Sequence, residues 1–203
     1  INKNIYSFSK KNLLKKKISE AVLSMLKTES FSKLAIKKIF KKAKIKPLEG
    51  LSIIKTKREI FLLLNDYFDQ KNYFKIQNIE NVKKREKIFE ILMIRFEIYN
   101  QHRIAVIKIF NYIINKSDLI IFFLPFLSKS LSSCLEFSGI EKEGVKGKIR
   151  FDGIFIIFIL VFLVWRKDNT LYLDKTMATL DNYLDKGENL INLFNIKNWL
   201  KNG

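Results

Sequence analysis

Apolar residues return at helical spacing along almost the whole chain, and few residues interrupt them. Leu14, Ile18, Ala21, Val22, Met25 and Leu26 form one stripe, as a helix with a single buried face requires. Ile60, Leu63, Leu64, Tyr67 and Phe68 form a second, and Ile88, Leu92, Arg95, Phe96 and Tyr99 a third. Only two prolines and seven glycines punctuate the 203 residues. The fold class expected is all-α. With 48% of residues hydrophobic, the chain has ample material for a core, as one compact protein or as a small head joined to a larger body.

Local signals place the elements. The first twelve residues read as a Lys/Asn-rich arm, followed by helices over residues 13–27 and 34–42. Pro47 opens a third helix, where its missing N–H leaves no bond unmade. Thr56, Lys57, Arg58 and Glu59 form a capping box, in which hydroxyl and carboxylate each satisfy a free N–H at the start of a fourth. Residues 71–81 break the periodicity and connect head to body. A helix is predicted over residues 103–114. Ser117 and Asp118 cap the next one, Pro125 kinks it, and residues 139–147 read as a loop.

Residues 17–70 (KISEAVLSMLKTESFSKLAIKKIFKKAKIKPLEGLSIIKTKREIFLLLNDYFDQ) resemble the DNA-binding domain of TetR-type regulators. Phe31, Leu34, Ile36, Ile39, Ala43 and Ile45 fall where that family places the core of its helix-turn-helix. Ile54, Thr56 and Lys57 stand where it has an aromatic followed by Pro-Ser-Lys. Four positions depart from the pattern. Ala35 replaces the usual Ser or Thr before the second helix, Lys44 the glycine of the turn, and Leu51 a phosphate-touching Tyr. Gly50 stands inside the recognition helix, where glycine costs roughly 1 kcal/mol relative to Ala. Toward the C-terminus, EILMIRFEIYNQHR, GKIRFDGIFIIFILVFLVWRKDN and LDKTMATLDNYLDKGENL are similar to the body of a TetR-like subgroup. The resemblance implies a helix-turn-helix DNA-binding domain over residues 1–70 and a helical ligand-binding and dimerisation domain over 71–203.

Charge is distributed to match. Residues 1–70 carry 17 Lys and Arg against 6 Asp and Glu, a net of +11, while the other 133 carry 21 against 14, a net of +7. Lys exceeds Arg by 32 to 6, as AT-rich coding also produces. A head about three times more basic per residue favours a polyanion-facing surface over uniform coding bias.

Other chemistries find little support. A lone cysteine, Cys134, forms no internal disulfide framework and reads as a small buried hydrophobe in a reducing compartment. With one histidine, His102, a His/Cys metal cluster is not expected, and His102 itself is placed at a helix border. No phosphate-cradling glycine loop, HExxH or paired CxxC is present, so neither an enzyme nor a cofactor is expected. The basic N-terminal stretch has no apolar core of a signal peptide. The charge-free run over residues 153–165 spans 13 residues, short of the ~20 a transmembrane helix needs. Cytoplasmic localisation is the expectation.

By motif position the resemblance assigns Lys46, Glu49 and Ser52 to base reading, and Lys37, Lys55, Thr56 and Lys57 to phosphate contact. The lysines read equally as solvated surface, and Glu49 must either accept from cytosine amino groups or be repelled. In the body, Phe96, Phe110, Phe122, Phe126 and Phe158 line a pocket for a small hydrophobic ligand or form plain core. Ile154, Ile157, Leu160, Val161 and Val164 form an apolar face that meets a second subunit, as the resemblance implies, or is buried within its own. The function implied is a homodimeric regulator on a palindromic double-stranded operator. The alternative is an isoprenoid-lipid-binding accessory protein of ubiquinone biosynthesis, of the same fold, with a vestigial head and peripheral membrane contact.

Overall fold

The computed structural model describes residues 2–79 and 82–201, with the side chains of 10–79 and 82–189. The described residues are helical throughout, with no strand. In order they form α1 (Asn2–Met25), a 3-10 turn (Phe31–Lys33), α2 (Ile36–Ala43), α3 (Pro47–Leu51), α4 (Lys57–Ile76), α5 (Lys84–Gln101), α6 (Arg103–Ile114), α7 (Ser117–Ser138), α8 (Gly144–Trp165) and α9 (Asp174–Lys201). The all-α expectation holds. The N-terminal arm is helical, because α1 begins at Asn2 and runs through it. α4 likewise runs on to Ile76, past the break expected at residue 71. α7 continues on both sides of Pro125, and by length and composition it is long and apolar enough to cross a bilayer.

Two compact units share the chain, one of Ile1–Phe74 with Ile98–Leu127 and the other of Lys75–Glu97 with Ser128–Gly203. In the first, Ile18, Val22 and Leu26 of α1 are fully buried with Leu34, Ile39, Ile54 and Ile60. The stripe read from the sequence is therefore the one that packs. Phe31 stacks on Phe61 at 4.6 Å and meets Tyr112 of α6 at 4.7 Å, tying the 3-10 turn to α4 and α6. Tyr67 and Phe68 of α4 contact the ring of His102, which precedes α6 as its N-terminal flanking residue.

The second unit is built on α8 against α9. Phe96 of α5 stacks on Phe158 at 5.3 Å, and Trp165 closes the same aromatic core. Cys134 is buried on α7, as a small apolar residue would be.

Candidate nucleic-acid interface

The first unit presents a short helix on a two-helix support. α1 packs against both α2 and α3, and Ile39, Phe40 and Ile45 bury the face between them. Ala35 flanks α2 at its start and supplies no side-chain cap. At the other end Lys44 adopts the left-handed conformation, φ 55° and ψ 47°. Its N–H and that of Ile45 return to carbonyls of α2, so the turn closes as it would with glycine.

Gly50 has a packing reason that composition alone does not reveal. A Cβ at this position would lie 2.5 Å from Phe40 Cε1 and 2.7 Å from its Cγ. The face of the Phe40 ring rests on the backbone of α3, and that contact sets how close α2 and α3 approach. The helix cost of glycine is offset by burial of a phenyl ring.

The capping box forms as read. The Lys55 and Thr56 N–H groups donate to the Glu59 carboxylate, and Glu59 N–H points back to the Thr56 hydroxyl at 3.4 Å. Lys57 Nζ donates to the Ser32 carbonyl at 2.6 Å, so it braces the start of α4 against the 3-10 turn. Lys37, Lys46 and Lys55 are exposed. Lys46 immediately precedes Pro47, and Ser52 ends α3 with its hydroxyl donating to the Glu49 carbonyl at 2.7 Å. Glu49 is held by Lys10 of α1, Nζ to Oε1 at 2.8 Å. That hydrogen bond and the charge of Lys10, with Lys46 nearby, lower the carboxyl's pKa below its ordinary value.

Two features of this surface escape a sequence reading. Lys10 is 39 positions from Glu49, and no local spacing signals their pairing. Leu48 is 85% exposed at the start of α3, although apolar periodicity alone makes any leucine a core candidate.

Among solved structures the chain is similar to a TetR transcriptional regulator from Nitrosomonas europaea, with a TM-score of 0.71 over 86% of this chain and 97% of that one. The chain has the TetR-like fold. Sequence identity to that structure is 14%, so the likeness is one of architecture. No protein-family model and no curated protein matches the chain.

Within this TetR-like fold the five phenylalanines assigned to a ligand fall into separate groups. Phe96 and Phe158 stack in the second unit, with the buried Arg95 guanidinium 5.9 Å from the Phe158 ring. In the first unit Phe122 and Phe126 touch at 5.6 Å, Arg58 lies over Phe122, and Phe110 is half-buried.

The α8 positions assigned to dimerisation divide too. Ile154 and Val161 are buried inside the unit, Ile157 and Val164 half-buried, and Leu160 is 38% exposed. The outward stripe is Ile149, Ile156, Leu160 and Leu163, spaced 7, 4 and 3 apart so that one helix face carries all four. A helix apolar all round conceals which face its own chain covers.

The joint between α8 and α9 is polar and closed. Asp168 is buried, and its carboxylate accepts from Thr170 N at 3.0 Å, Thr170 Oγ1 at 2.6 Å, Thr176 N at 2.8 Å and Thr176 Oγ1 at 2.7 Å. Burial opposes the charge, but the bonds from Thr170 and Thr176 outweigh it and hold the pKa at about 2, below 3.8. Farther along α9, Asp181 and Asp185 both pair with Arg85 of α5.

Proposed function

We propose that this TetR-like chain is a cytoplasmic DNA-binding transcriptional regulator, with residues 1–70 as the DNA-binding part and 71–203 as the ligand-binding and dimerisation part. The carrying observation is the α2–α3 pair, which sets exposed Lys37, Lys46 and Lys55 around a short helix with a polar and apolar outer surface. The net charge of +11 on residues 1–70 supplies the attraction to a polyanion that such a surface needs. The similar structure's description as a transcriptional regulator supports the same reading.

The regulator acts as a homodimer, its two α3 helices entering successive major grooves about 34–36 Å apart on a palindromic site. The outward apolar stripe of α8, with exposed Met177 of α9, supports a subunit contact, since a stripe of this kind is costly to leave in water. A small hydrophobic ligand shifts the protein between DNA-competent and incompetent states, to the extent that it binds one more tightly. The aromatic groups at Phe96 and Phe158, and at Phe110, Phe122 and Phe126, supply apolar contacts of the right kind.

Fluorescence anisotropy on DNA from upstream of its own gene, beside a scrambled duplex across a salt series, tests this reading. A preference of about 4 kcal/mol or more for the native DNA is expected. Equal binding to both duplexes, collapsing steeply with salt, overturns it.

A further inference from the structure

The surface of α3 that would meet base edges carries two side chains of opposite character in succession. Leu48 stands 85% exposed at the start of α3. Glu49 is one residue on, and its carboxylate is bound by Lys10 of α1 at 2.8 Å. Neither suits a surface that simply attracts phosphate. An exposed leucine gains nothing from a polyanion, and a carboxylate already paired with Lys10 adds no attraction to one.

Both features acquire a purpose if they read bases. Thymine alone presents a methyl group in the major groove, and an apolar side chain is its natural contact. Cytosine presents an amino donor there, for which a carboxylate is the matching acceptor. We propose that Leu48 and Glu49 determine operator sequence, Leu48 against a thymine methyl and Glu49 accepting from a cytosine amino group, with Lys10 as the residue that positions and neutralises Glu49. The inference rests on the DNA-binding reading above and adds the base identities to it.

The chemistry fits the geometry. A carboxylate has two oxygens and about four acceptor sites, so Oε1 can keep its bond to Lys10 while the remaining sites accept from a base. The bond to Lys10 restricts the Glu49 side chain before DNA arrives and cancels its charge against the backbone phosphates. Lys10 thus acts through Glu49 and touches no base.

Selection of duplexes from a randomised library by the full chain, followed by anisotropy on the enriched site, tests the proposal. The unaltered protein is expected to enrich a half-site with a defined thymine and a defined cytosine. Deoxyuridine in place of that thymine removes only the methyl; it should weaken the unaltered protein several-fold and leave Leu48→Ala unaffected. Exchange of the cytosine should cost the unaltered protein roughly tenfold, while Glu49→Ala no longer discriminates. Lys10→Ala should lose discrimination at the cytosine alone, Lys10→Arg should regain it, and Lys10→Ala should change nothing at that base in a Glu49→Ala background. If the variants enrich the unaltered protein's site with unchanged base preferences, the proposal is overturned and the regulator reading stands. If the unaltered protein enriches no sequence, the DNA-binding reading itself fails, and this inference with it.

Discussion

The α2–α3 turn and the α8–α9 joint solve one problem by different physics. Each reverses the chain between two helices, and each does so with a non-glycine residue at positive φ, Lys44 at 55° and Leu173 at 58°. At the first turn no polar side chain caps either helix, and the seam is a phenyl ring lying on a glycine. At the second, a buried carboxylate gathers four donors from Thr170 and Thr176. Apolar contact tolerates a change of shape more readily than a buried charge tolerates the loss of its partners. The comparison therefore predicts a polar joint that fails abruptly and an apolar turn that fails by degrees.

The largest effect is expected at Asp168. Asp168→Ala leaves four donors without their acceptor, two of them on fully buried Thr176, and should lower stability by about 3–4 kcal/mol in urea unfolding. Acid should act in the same way on the unaltered protein. Because the folded pKa of about 2 lies below 3.8, the carboxylate's contribution is complete above roughly pH 4 and drains away as pH falls through 2. Asp168→Asn should flatten stability over that window, and an unchanged acid slope would show that the network carries less than its geometry suggests. Next comes Gly50→Ala. Its methyl group meets the Phe40 ring at 2.5 Å, and overpacking of this kind costs about 2 kcal/mol. Phe40→Leu in the Gly50→Ala background should recover part of the loss if the ring is the obstacle, whereas a Gly50→Ala protein that gains stability would show that helix propensity outweighs the contact.

How far the sequence discloses these regions follows from the range of the interactions. Helices declared by local periodicity were legible: residues 103–114 were expected and α6 is Arg103–Ile114, and the capping box opens α4 as its four residues require. Lys44 and Ala35 were recognisable as departures because they are judged against immediate neighbours. Gly50 read only as a helix defect, since the ring that requires it belongs to another helix. No local pattern marks Asp168, because its meaning lies in Thr176, eight residues on. The outward face of α8 is hidden for a different reason: all its faces are apolar, so only packing within the unit distinguishes Ile156 at 58% exposure from Val161 at 0%. The packing units also interleave along the chain, which no local signal discloses.

The two positive-φ residues sharpen the comparison at smaller energies. Glycine relieves a left-handed backbone of roughly 1 kcal/mol of strain wherever it is introduced. At Leu173 that gain should be exceeded, because the side chain is buried and a leucine's burial contributes roughly 1.5–3 kcal/mol. Leu173→Gly should therefore destabilise by about 1–2 kcal/mol in the same unfolding assay. Lys44 is exposed and loses no such contact, so Lys44→Gly should stabilise the protein, by up to about 1 kcal/mol. The sign is what matters. Opposite signs at two residues with nearly the same φ would show that the α2–α3 turn retains relievable strain, while the α8–α9 joint has its strained residue anchored by packing. A destabilising Lys44→Gly would mean that the lysine contributes more to the turn than its exposure indicates. Lys44→Asn would then separate backbone from side chain, since asparagine tolerates the left-handed region but carries no charge.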